Sequence, residues 1–81
     1  QLKNIGLEYN AISKIETGSF ANLPNLRGVY LGNNQLTQLD SSMFAGSNKL
    51  MSISVRGNPN LPKTNIQSLC PPAARYCYVY Y

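Results

Sequence analysis

Residues 26–39 read LRGVYLGNNQLTQL. Leu26, Val29, Leu31, Leu36 and Leu39 are its apolar positions, Phe44 follows five residues later, and Asn34 stands three residues after Leu31. The alternation from Val29 to Leu31 is the pattern of a short strand with one buried face. A strand this short is not stable alone, so its partner must lie elsewhere in the chain.

The partner is found by sliding the sequence against itself. Leu2, Leu26 and Leu50 begin three copies at a 24-residue period. Ile5 and Leu7, Val29 and Leu31, and Ile53 and Val55 follow in phase, and Asn10, Asn34 and Asn58 come three positions later. Ile12, Ile15, Phe20 and Leu23 complete the first copy as Leu36, Leu39 and Phe44 complete the second. Copies stacked about 4.8 Å apart form a parallel sheet over one continuous core. An asparagine amide inside each turn can pair backbone groups that the bend would bury unsatisfied.

Leu26-x-x-Val29-x-Leu31-x-x-Asn34-x-Leu36-x-x-Leu39 with Phe44 resembles the typical 24-residue leucine-rich repeat of the extracellular class, over residues 2 to about 58. Repeats of this length and pattern are similar to those of secreted and cell-surface receptors, matrix proteoglycans and lamprey-type variable receptors. The resemblance implies an α/β solenoid: a right-handed coil, a short concave parallel sheet of three regular strands and a fourth, and an irregular or 3-10 convex side. It also implies an extracellular or cell-surface location and binding of a protein or glycan ligand, with the chain as the C-terminal part of a solenoid. The expected organisation is repeats over residues 1–58 (2–25, 26–49 and a third from 50) and a C-terminal capping segment over 59–81.

The third copy breaks the pattern with Pro59, Asn60 and Leu61. One inserted residue restores the phase, so that Leu61 replaces Leu36, Leu69 replaces Phe44 and Thr64 falls on an apolar position. Residues 65–69 read as a helical turn stopped by Pro71 and Pro72. Cys70 and Cys77, an even number in a short chain, read as a disulfide, the alternative being two reduced thiols in a cytosolic protein. The family's commoner four-cysteine flank is missing. Continuing the same count puts Tyr78 and Tyr80 at the two inward positions of a fourth strand beside residues 53–55. The tyrosine-rich end is then a cap, or an adhesive edge that pairs with another chain.

Residues between the inward positions point from the concave face: Asn4, Glu8, Tyr9, Tyr30, Asn33, Ser52, Ser54 and Arg56, among Gly6, Gly28, Gly32 and Gly57. Tyr30, central and flanked by glycines, is the expected anchor. The chain has no histidine, and its only carboxylates are Glu8, Glu16 and Asp40. No catalytic residue, cofactor or metal site is expected: Glu16 and Asp40 share a phase, but a calcium loop needs further oxygen ligands. The formal charge of +4 comes from seven Lys and Arg scattered along the sequence, without the run a nucleic-acid surface needs. No apolar run approaches the roughly 18 residues of a membrane span.

The chain opens directly in a repeat without an initiator methionine, which reads as a mature product or excised fragment. Leu2, Ile5 and Leu7 then need a cover. Two functions follow. The favoured one is a non-enzymatic recognition module. The alternative is a structural subunit that stacks on further copies of itself, Leu2, Ile5 and Leu7 of one chain meeting Tyr78, Tyr80 and Tyr81 of the next in a filament.

Overall fold

A computed structural model describes residues 3–16, 18–63 and 66–81. Four three-residue strands form one parallel sheet in sequential order: β1 (Asn4–Gly6), β2 (Gly28–Tyr30), β3 (Ser52–Ser54) and β4 (Tyr78–Tyr80). Opposite the sheet run loops and two 3-10 helices, Ser41–Phe44 and Ile66–Leu69. The second covers the described part of the helical turn expected over 65–69. Leu2 and Thr64 lie outside the described residues.

Ile5, Val29, Ile53 and Val79 pair across the four strands. The last three are fully buried, and Ile5 is partly buried against the same core. Leu26, Leu31, Leu36, Phe44 and Leu50 complete the centre. Phe20 and Phe44 stack with ring centroids 5.7 Å apart, tying the loop sides of the first two repeats. Leu61 and Leu69 are buried where the count with one insertion puts them, and Met43, Ile66 and Ala74 join the core unforeseen.

The fourth strand corrects the sequence reading. Val79, not Tyr78 or Tyr80, is the inward residue, and the two tyrosines point from the outer face at 54% and 41% exposure. The two 3-10 helices are 25 residues apart, as one insertion requires, but Val79 follows Ile53 by 26. A second residue is therefore inserted between Leu69 and Tyr78, in the loop closed by the disulfide Cys70–Cys77 (Cα–Cα 5.8 Å). A shift of one residue exchanges the two faces of a strand, so this single insertion turns the tyrosines outward.

Two of the three in-phase asparagines, Asn34 and Asn58, bridge neighbouring repeats. Asn34 donates to the carbonyls of Leu7 (2.9 Å) and Leu31 (3.1 Å), and its oxygen accepts the Ile12 N–H (3.1 Å). Asn58 repeats this one step on with Leu31, Val55 and the Leu36 N–H. Asn10 is exposed and bonds the local carbonyls of Leu7 and Glu8. Ser47, fully buried, stitches the loop side in the same way: its hydroxyl donates to Phe20 and accepts from the Leu23 N–H. Among the described residues no buried side-chain nitrogen or oxygen lacks a partner.

Candidate functional site

The strand pairing sets the outer face of the sheet in rows. Asn4, Gly28, Ser52 and Tyr78 make one row, and Gly6, Tyr30, Ser54 and Tyr80 the next. Glu8, Gly32 and Arg56 continue beyond the strand ends in the same phase. These backbones must run close together, and what stands on them is decided by the glycines.

Gly28 makes room for Tyr30. A methyl group on Gly28 would meet the Tyr30 hydroxyl at 2.5 Å and the Asn4 side-chain oxygen at 2.6 Å. The Tyr30 ring therefore lies back along the sheet, half-buried, with its hydroxyl 3.3 Å from the Ser52 hydroxyl. Gly6 does the same for Glu8, whose carboxylate would stand 2.9 Å from a methyl group there. Asn4, Tyr30 and Ser52 thus make a polar centre.

The aromatic end of the face was not foreseen as part of it. Tyr78 and Tyr80 meet edge to face with centroids 4.9 Å apart, and the Arg56 guanidinium lies 5.8 Å from the Tyr80 centroid. The signal for this was present in Tyr76-Cys77-Tyr78-Val79-Tyr80-Tyr81, but either alternate set of that segment is apolar enough to be buried.

Tyr9 and Asn33 stand apart from the strand rows. With Gly57 they occupy equivalent turn positions, all with positive φ: 59° at Tyr9, 58° at Asn33 and 77° at Gly57. Asn33 is there for the turn, its side chain lying over Gly57, where a methyl group would meet the Asn33 oxygen. Tyr9 has no such excuse. A bulky aromatic is costly in the left-handed region, and this one is 82% exposed.

Residues 1–59 match the model of the family described as Leucine rich repeat. The chain belongs to the leucine-rich repeat family. Over 60 residues, 63% of its length, it is 39% identical to the human "Leucine-rich repeats and immunoglobulin-like domains protein 1". It is 33% identical to bovine asporin over 86% of its length, and 37% identical to the mouse "Leucine-rich repeat-containing G-protein coupled receptor 4" over 84%. The chain spans 6%, 18% and 8% of these three relatives. No solved structure matches it significantly.

In leucine-rich repeat terms the two remaining acidic residues have plain local roles. Asp40 caps the first 3-10 helix, its carboxylate accepting from the Ser42 N–H (3.0 Å) and hydroxyl. Glu16 contributes its carbonyl to Ser19. No helix among the described residues is long and apolar enough to cross a membrane.

Proposed function

We propose that this chain is a non-enzymatic protein-binding module of a secreted or cell-surface leucine-rich repeat protein, and that it works through the outer face of its sheet, the concave face of a right-handed solenoid. The observation that carries the reading is the set of aromatics on that face: half-buried Tyr30 at the centre, with the exposed pair Tyr78 and Tyr80 and with Arg56 beside Tyr80. Tyr and Arg are the residue types that most often dominate binding energy, and rings seated on a hydrogen-bonded sheet lose little entropy on docking. Asn4, Glu8, Ser52 and Ser54 supply a polar surround, and Tyr9 extends the face at one rim. Residues 59–81 act as the cap, covering one end of the repeats of 1–58 with Leu61, Ile66, Leu69 and Val79. The disulfide supports an oxidising, extracellular setting. Two of the relatives carry repeats in proteins named for immunoglobulin-like domains and for a G-protein coupled receptor, which supports a module within a larger chain.

The test is a binding screen of the disulfide-intact chain against an array of secreted and cell-surface ectodomains, repeated with Tyr30→Ala/Tyr80→Ala and with Gln38→Ala on the loop side. The reading expects an ectodomain whose affinity falls at least tenfold with the double substitution and less than twofold with Gln38→Ala. Binders indifferent to both tyrosines, or self-association as the sole interaction, would overturn it.

A further inference from the structure

The cations scattered in the sequence gather in the fold. Lys3 and Arg27 directly precede β1 and β2, and Lys49 and Arg75 each come three residues before β3 and β4. Four of the seven cations thus lie along the edge where the strands begin. The three carboxylates, Glu8, Glu16 and Asp40, all follow a strand. Arg27, Lys49 and Arg75 line one open cavity of about 310 Å³, with no acid among its lining residues. Leu50, Met51 and Tyr76 also line it.

Tyr76 is the unexpected member. Counted back from Val79 it holds the position of Leu26 and Leu50, both buried, yet it is 79% exposed. The disulfide-closed loop between Cys70 and Cys77 carries the extra residue, and Pro71 and Ala74 are its buried residues. The ring is left beside the cations.

We infer that this edge is a second binding surface, separate from the outer face of the sheet, and that it takes a sulfated polysaccharide. Three unpaired-sign cations around an acid-free cavity attract an anion. The basic side continues one rung beyond the cavity, because the Arg27 N–H bonds the Lys3 carbonyl (2.6 Å) and rungs are about 4.8 Å apart. A row of charges along the solenoid suits a linear polyanion better than a single anion. An exposed tyrosine beside apolar lining residues suits a sugar ring, which presents flat C–H faces for stacking, better than an acidic peptide.

Immobilised heparin is the probe, read by surface plasmon resonance on the disulfide-intact chain. Arg27→Ala/Arg75→Ala should weaken binding at least tenfold, and Tyr76→Ala several-fold. Lys14→Ala/Lys63→Ala, which removes the same charge elsewhere, should change it less than threefold. Affinity should fall as salt rises. Chemically desulfated heparin, polyglutamate and a DNA duplex serve as competitors and should displace the chain poorly. Equal loss in both double variants, or equal competition by polyglutamate or DNA, would overturn the inference, as would no binding at low salt. The Arg27, Arg75, Tyr76, Lys14 and Lys63 variants are exposed-surface changes, and every variant is checked for folding by circular dichroism. Tyr30→Ala/Tyr80→Ala should keep full heparin binding, so this surface and the sheet face succeed or fail separately.

Discussion

At the residue scale, the asparagines show why identical letters in a repeat are not energetically identical. Asn58 bridges two repeats from a buried site, whereas Asn10 makes only local bonds from an exposed one. Removing a side chain that satisfies several buried backbone groups costs about 1 to 3 kcal/mol per group left unpaired. Asn58→Ala should therefore lower stability by about 2 to 4 kcal/mol and Asn10→Ala by under about 1 kcal/mol, as measured by urea denaturation. Tyr9 predicts the opposite sign. Its left-handed backbone costs roughly 1 to 2 kcal/mol, and asparagine tolerates that region, as Asn33 does one repeat on. Tyr9→Asn should raise the melting temperature by about 4 °C while weakening any ligand that contacts this rim. A lower melting temperature would show that the ring stabilises the fold rather than serving the site.

The element that carries most consequence is β4. Its inward residue is a single valine, held by the disulfide and by Gln67, which accepts the Val79 N–H (3.2 Å) and donates to the Cys77 carbonyl (3.1 Å). Val79→Asp should detach the strand and lower stability by several kcal/mol, on the order of a buried unpaired charge, while Tyr80→Lys should cost under about 1 kcal/mol. If the tyrosines faced inward, the order of the two would reverse, so a pair of melting curves decides the register. Replacing both cysteines by serine removes a short closed loop worth about 2 to 3 kcal/mol. Hydrogen exchange should then accelerate first at Tyr78 and Val55, whose N–H groups bond the Met51 and Tyr80 carbonyls across β3 and β4.

On the scale of the molecule, the Cα radius of gyration is 11.4 Å, close to the roughly 12 Å of a compact globule of this length. A solenoid of few repeats is as wide as it is long, with extents of 29 × 26 × 19 Å. Small-angle scattering on the purified chain should give a value near this across a tenfold concentration range. A radius that grows with concentration would instead favour head-to-tail stacking and place the functional contacts at the ends. The charge distribution belongs to this scale too: the basic edge and the aromatic sheet face are different surfaces, and a recognition module that uses both would hold a protein and an anionic glycan together.

The period-24 pattern was sufficient for the strands β1 to β3, their register, the phenylalanine stack and the buried asparagines, because each of these depends on spacing within a repeat and on identical neighbours one rung away. It was also sufficient to place Asn4, Glu8, Tyr30, Ser52, Ser54 and Arg56 outside the buried positions, since alternation along a strand decides that locally. It was not sufficient for β4. The segment from Tyr76 to Tyr81 offers an apolar residue at every position, so pattern alone leaves its two faces equivalent, and the extra residue that chooses between them lies in a loop whose path the disulfide and Ala74 determine. Nor could spacing reveal the basic cavity, because Arg27 follows Leu26 whereas Lys49 and Arg75 precede Leu50 and Tyr76, and the three meet only when the turns stack. Periodicity specifies what repeats; the end of the repeat and the meeting of unlike positions are decided by packing in three dimensions.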